Sequence, residues 1–253
     1  MPIDNNAKIS MLNYFAEQLL FCGYVPNDRL ILIEKTKEEG RNLVVFHSLY
    51  GRRINDTLSR IVAITLAEMY DTDIGINITD NGFVLATESN EAISDSAIKE
   101  VFARTEEADV AKLLKDNIRN TEMMRRRFRY SAARSFMILR NYKGKKISVR
   151  KQQINSQFLL KAAEQIGPDF PIIKETYREI LDDVMDLPRT QEIINGLHEG
   201  RIKYKTIKTE VPSPFSHNII TFGAADVIMM KDRRRHIKEL YRQVMHRLEK
   251  MAR

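Results

Sequence analysis

Between Met123 and Gln153 the sequence carries seven arginines and four lysines without one aspartate or glutamate: "MMRRRFRYSAARSFMILRNYKGKKISVRKQQ". Guanidinium forks match phosphate oxygens bidentately, and ammonium groups supply compact point charges, so this set suits a polyanion. The whole chain has a formal charge of +7, and the segment's +11 subtracted from it leaves −4 for all remaining residues. The acids elsewhere therefore cannot neutralise the surplus. Helices held by local ion pairs alternate their signs at i and i+4, and this stretch does not. Positive charge concentrated in one place points most often to nucleic acid.

At 100° per residue, a helix from Met123 to Asn141 places Met124, Phe128, Ala132, Ser135 and Leu139 within an arc of about 80°, the stripe that packs on a core. Arg125, Arg126, Arg127, Arg129, Arg134 and Arg140 take roughly the other half, with Tyr130, Phe136 and Met137 among them. Arginines beside aromatics combine phosphate contact with base stacking. Beyond the helix, Lys143, Lys145, Lys146, Arg150 and Lys151 surround Gly144 in a basic loop, where backbone amides can approach a phosphate. The competing reading is a solvated helix whose arginines pair with the acidic stretch "ETYREILDDVMD" at 175–186.

A second candidate is "HSLYGRRIND". Gly51 leads into a helix whose first turn holds Arg52 and Arg53, so free amides plus two guanidinium groups form a phosphate site. Alternatively Gly51 only makes the corner, and the arginines pair with Asp56 and other neighbours. His47, just before it, reads as a satisfied core imidazole or a site residue, and base rates favour the core.

No catalytic machinery accompanies these cations. There is no GxxxxGK[ST] loop, no GxGxxG opening a helix after a strand, no HExxH, no CxxC and no GxSxG. His47, His198, His217, His236 and His246 have no metal-ligand spacing, so neither a catalytic residue nor a metal is expected. Asp182 and Asp183 read as part of a surface helix.

The elements that must hold the basic segment begin with a helix over 8–22. Two β-rich runs, 29–35 and 42–48, flank a charged turn ending in Gly40 and read as a hairpin. Ile54, Leu58, Ile61, Val62, Leu66 and Met69 then form one helical stripe. "IGINITDNGFVLAT" is a second hairpin, whose Asp80-Asn81-Gly82 tolerates positive φ. From about residue 90 the chain is largely helical, with a late edge strand at "RIKYKTIKTEV", a rigid "PSPFSHN" connector and a closing stretch, Ala225 to Arg253, that ends in a long charged helix. The expected class is α+β: a small, mainly antiparallel N-terminal sheet with a packed helix, then a mostly helical region and a late strand. The expected subdomains are 1–90 and 91–253, packed as one domain.

At 253 residues the chain can bury a sizeable core, and ten glycines with seven prolines leave no room for a long disordered linker. The single cysteine, Cys22, excludes an intramolecular disulfide and fits a reducing cytosol. No run of about 18 apolar residues exists, and "MPIDNNAKIS" lacks a signal-peptide core, so a soluble cytoplasmic protein without membrane contact is expected.

Three stretches in order carry a resemblance: "NLVVFHSLYGRRINDTLSR" with "DIGINITDNGFVLAT"; the basic segment; and "EVPSPFSHNII" with "ADVIMMKDRRR". Over about residues 10–245 the sequence resembles the DEAD/H-associated region that follows the motor in large helicase-related (Lhr) proteins of archaea and bacteria. The resemblance implies an ATP-dependent helicase that translocates on single-stranded DNA, with two RecA-like motor domains, a winged helix and then this region. Neither motor domain nor winged helix lies in the sequence, so ATP and Mg are expected on motor domains in cis or in trans and no cofactor here. Three functions compete: an accessory domain guiding single-stranded or partly single-stranded DNA, a module docking on the motor without touching DNA, and an independent enzyme on nucleic acid. The last has no sequence support.

Overall fold

The computed structural model describes residues 3–87, 92–107, 109–223 and 230–251. They fall into two compact units, one formed by 1–107 with 190–253 and the other by 108–189. The division does not follow the expected boundary at 90. The late strand explains why: it returns to the first sheet and takes the C-terminal elements with it.

In the first unit, α1 (Asn5–Cys22) is capped by Asp4, whose carboxylate accepts from the Ala7 amide at 3.0 Å. It is followed by β1 (Leu30–Glu38), β2 (Arg41–His47), α2 (Arg52–Tyr70), β3 (Ile74–Thr79), β4 (Gly82–Thr87) and α3 (Asp95–Glu107). Both expected hairpins are present, and β2 also pairs antiparallel with β4. Far along the chain, β7 (Lys203–Lys208) joins β1 in parallel, giving the order β3-β4-β2-β1-β7. Its outward lysines, Lys203, Lys205 and Lys208, blunt that edge against further pairing.

β2 is buried along nearly its whole length because helices cover both faces of the sheet. Leu43, Val45 and Val84 cluster with Ile219 and Ile220 of α9 (Ser216–Gly223). Alternation turns Phe46 and Phe83 the other way, where their rings stack at 4.5 Å. The α2 stripe, with Ile54, Leu58, Ile61, Val62 and Leu66 buried, packs against β3 and β4. α8 (Leu187–His198), which belongs to this unit from Thr190 onward, and α10 (Met230–Met251) complete it, and residues 225–229 of the closing stretch lie outside the described residues. Ile9, Leu12, Leu19 and Leu20 of α1 stay exposed. Its hold on the unit runs through Tyr14, which stacks on Phe215 at 4.7 Å, and Gln18, whose Oε1 accepts from the Phe215 amide at 3.0 Å.

The second unit contains α4 (Val110–Ile118), α5 (Glu122–Arg134), a small hairpin of β5 (Asn141–Tyr142) and β6 (Lys145–Lys146), α6 (Val149–Ile166) and α7 (Pro171–Arg178). α7 runs on into a π turn at Glu179–Val184. Its core is built from Val110, Leu114, Ile118, Met124, Phe128, Ala132, Leu160, Ala163, Ile172, Ile173 and Ile180.

Candidate nucleic-acid interface

Thr121 opens α5, its hydroxyl accepting from the Met124 amide at 3.4 Å, and Glu122 places an acid in the first turn. The side buried against α6, α7 and the π turn consists of Met124, Phe128, Ser131 and Ala132. The opposite side carries Arg126, Arg129 and Tyr130. Both guanidinium groups lie over the tyrosine ring, at 6.0 Å for Arg126 and 5.4 Å for Arg129. Hydrogen bonds from Arg126 and then Arg129 hold the phenol pKa below its ordinary value.

The helix stops seven residues before the expected Asn141. Ser135 caps it, and Phe136 takes a left-handed conformation with φ 60°, so the Met137 and Ile138 amides turn back to donate to the Ala132 carbonyl at 2.9 and 3.1 Å. Leu139 and Arg140 are therefore off the helix and exposed, and Leu139 does not extend the buried stripe. A phenylalanine in this conformation is an unusual stop, which is why the sequence pattern ran through it.

What reads as a basic loop is a two-residue hairpin. Asn141 faces Lys146 and Tyr142 faces Lys145, while Lys143 and Gly144 form the turn with φ of 47° and 75°, the paired positive angles of a type I′ connection. Ser148 then caps α6, accepting from the Lys151 amide at 3.3 Å. The first turn of α6 holds Arg150 and Lys151 and no acid, the reverse of what a helix dipole favours.

Ion pairing sorts these cations. Arg134 donates to Glu179, whose side chain is only 6% exposed at the start of the π turn, and to Ser131 at 3.3 Å. One arginine thus follows the competing reading of pairing within 175–186. Arg125 reaches Glu122 at 3.3 Å in a solvent-exposed i,i+3 pair, which is worth little. Arg126, Arg127, Arg129, Arg140, Lys143, Lys145, Lys146, Arg150 and Lys151 have no carboxylate partner among the described residues.

Arg52 and Arg53 belong to the first unit and are exposed in the first turn of α2. The amide of Gly51, which adopts φ 86°, already donates to the Asp80 carbonyl at 3.2 Å. Asp56 accepts from Arg60 at 2.8 Å. Asn55 is wholly buried: it accepts from Ser48 at 2.6 Å and donates to the Thr79 and Asp80 carbonyls, both at 3.1 Å, clamping the β3–β4 turn.

His47 is a core residue, buried against a carboxylate the sequence reading passed over. Its Nε2 lies 3.2 Å from Glu34 Oε2 and 3.2 Å from Ser216 Oγ. Glu34 accepts from Thr209 Oγ1 at 2.6 Å, the Ser213 amide at 2.8 Å, Ser213 Oγ at 2.6 Å and Ser216 Oγ at 2.5 Å. Burial alone would raise this carboxyl's pKa, but His47 and the serine hydroxyls outweigh it and hold it below the ordinary range. Cys22 nearby is pushed up to about 12 by burial and by the Glu34 charge, so it is no nucleophile at neutral pH. Among the described residues no group of three or more His, Cys, Asp or Glu side chains could hold a metal, and no helix is long and apolar enough to cross a membrane.

The DEAD/H associated family model matches residues 25–216. The chain is 44% identical over 245 residues to "ATP-dependent helicase Lhr-Core" of Saccharolobus solfataricus, an alignment covering 96% of this chain and 28% of that protein. It is 26% identical over 230 residues to "Lhr helicase/uracil glycosylase" of Escherichia coli, covering 90% of this chain and 15% of that protein. Among solved structures, Mycobacterium smegmatis helicase Lhr bound to ssDNA and AMP-PNP aligns with a TM-score of 0.68 at 27% identity, covering 85% of this chain and 27% of the other. The chain thus spans little more than a quarter of the length of the Lhr-Core relatives it matches. It belongs to the DEAD/H-associated family, the region it shares with Lhr-type helicases.

Proposed function

We propose that the chain is a nucleic-acid-binding accessory part of an Lhr-type ATP-dependent DNA helicase. It guides single-stranded DNA, or the single strand of a partly opened duplex, through phosphate contacts and base stacking. Motor domains in cis or in trans bind ATP and Mg, and no hydrolysis takes place on this chain. The observation that carries this reading is the set of nine cations on α5, the segment after it, the β5–β6 hairpin and the start of α6 that have no carboxylate partner among the described residues. A single-stranded-DNA-bound structure of a 27% identical helicase supports it.

Within the site, Arg126 and Arg129 present guanidinium groups over Tyr130, Arg150 offers a further guanidinium fork, and Lys143, Lys145, Lys146 and Lys151 act as point charges. Arg125 exchanges its exposed pair with Glu122 for phosphate at little cost. Arg52 and Arg53 supply a separate contact in the first unit. The test is fluorescence anisotropy with a labelled oligonucleotide, comparing the wild type with the quadruple variant Arg126→Ala, Arg129→Ala, Lys145→Ala, Lys146→Ala. Four lost contacts make the log–log salt slope shallower by about 2.8, at about 0.7 per single-strand phosphate contact. A folded quadruple variant that keeps wild-type affinity and slope overturns the proposal.

One observation favours a protein contact as well. Ile9, Leu12, Leu19 and Leu20 leave an apolar face of α1 exposed, which suits docking on another part of the helicase.

A further inference from the structure

The second unit contains a groove of about 1020 Å³ between the segment after α5, the β5–β6 hairpin and one side of α6. Its lining combines two kinds of side chain. Leu139, Tyr142 and Phe158 are apolar yet open to solvent, Tyr142 at 57% and Phe158 at 69% exposure. Lys145, Lys146 and Lys151 line the same groove, and none pairs with a carboxylate among the described residues. The register places Tyr142 directly opposite Lys145, so an aromatic ring and an ammonium group share one face of the hairpin.

We infer that this groove is where unpaired bases stack, with Tyr142 and Phe158 as the platforms and Lys145, Lys146 and Lys151 as the phosphate contacts. The inference rests on the single-strand reading above and narrows it to one place. Tyr130 has two guanidinium groups, Arg126 and Arg129, over its ring; Tyr142 has one ammonium group, Lys143 at 5.5 Å from the ring centroid, and Phe158 has no ring or cation partner among the described residues. Stacking requires exposed base faces, which a duplex hides, so the ligand is single-stranded nucleic acid. A protein partner suits the groove less well, because lysine is depleted in the cores of protein interfaces.

The test uses the full chain, a labelled oligo-dT, a duplex of equal length and a polyglutamate competitor. Tyr142→Ala and Phe158→Ala should each weaken oligo-dT binding by about 5- to 150-fold, corresponding to about 1–3 kcal/mol per stacked base, with the salt slope unchanged. Lys145→Ala should instead make the slope shallower by about 0.7. Duplex binding should not respond to the aromatic variants. Both aromatic side chains are largely exposed, so the variants should unfold at the wild-type urea midpoint, and a 2-aminopurine base in the oligonucleotide should lose fluorescence on wild type but not on Phe158→Ala. If wild type binds oligo-dT and both aromatic variants bind equally well, the groove is not the stacking site and the broader reading stands. If wild type fails to bind at low salt, both fall. Displacement of oligo-dT by polyglutamate at matched charge, with the same dependence on Phe158, also overturns the inference in favour of a protein ligand.

Discussion

Arg134 separates a phosphate contact from a structural counter-ion. The Glu179 carboxylate is 6% exposed, and its donors are Arg134 Nη2 and the more distant Ser131 Oγ at 3.5 Å. Arg134→Ala leaves that carboxylate with one long hydrogen bond. Removing one partner of a fully buried pair costs about 3–5 kcal/mol, but Arg134 is 58% exposed, so water replaces part of the interaction and about 1–3 kcal/mol is expected. Glu179→Gln removes the charge that needs compensation, so Arg134→Ala in that background should cost less, with a coupling of about 0.5–3 kcal/mol. Urea unfolding of the four proteins measures this cycle. Because the Arg134 charge is already neutralised, the single variant should bind single-stranded DNA with the wild-type salt slope. An unchanged urea midpoint together with a slope shallower by about 0.7 would show that Arg134 faces phosphate and that the ion pair is incidental.

Phe128 is fully buried in the second unit, so Phe128→Ala should cost about 3–5 kcal/mol in urea unfolding and alter DNA binding only through unfolding. Phe136 sits at φ 60° and is 82% exposed, so Phe136→Gly should be neutral or stabilising by about 1 kcal/mol, and a loss above about 1 kcal/mol would contradict the left-handed stop. The buried Glu34 carboxyl is held below its ordinary range, so its contribution to stability is present above the unfolded value of about 4.3 and disappears as pH falls through the folded value. The gap in urea midpoint between wild type and Glu34→Gln should therefore be widest near neutral pH and shrink below about pH 4.

The two hairpins and the α2 stripe were legible because each has a local cause: Gly40, Asp80-Asn81-Gly82, and apolar residues at helical spacing. So was the charge of the basic segment, which is a property of composition. The end of α5 was hidden because phenylalanine at φ 60° carries no stop signal, and with it went the positions of Leu139 and Arg140. The Lys143-Gly144 hairpin lay in a run without apolar alternation. The role of Glu34 carries no local signal, since its donors Thr209, Ser213 and Ser216 arrive from about 175 to 182 residues away. For the same reason the parallel pairing of β7 with β1, and the division into units that it creates, could not be read locally. The groove residues Tyr142 and Phe158 were missed because nothing in their spacing distinguishes an exposed aromatic from a buried one.

Titration of the wild-type chain with oligo-dT between about 50 and 200 mM salt tests the single-strand reading most directly. If at least four of the nine cations without a carboxylate partner among the described residues meet phosphates, log affinity should fall against log salt with a slope of about −2.8, a loss of roughly 50-fold over that range. Undetectable binding at 50 mM salt, or an affinity that does not change with salt, would contradict it.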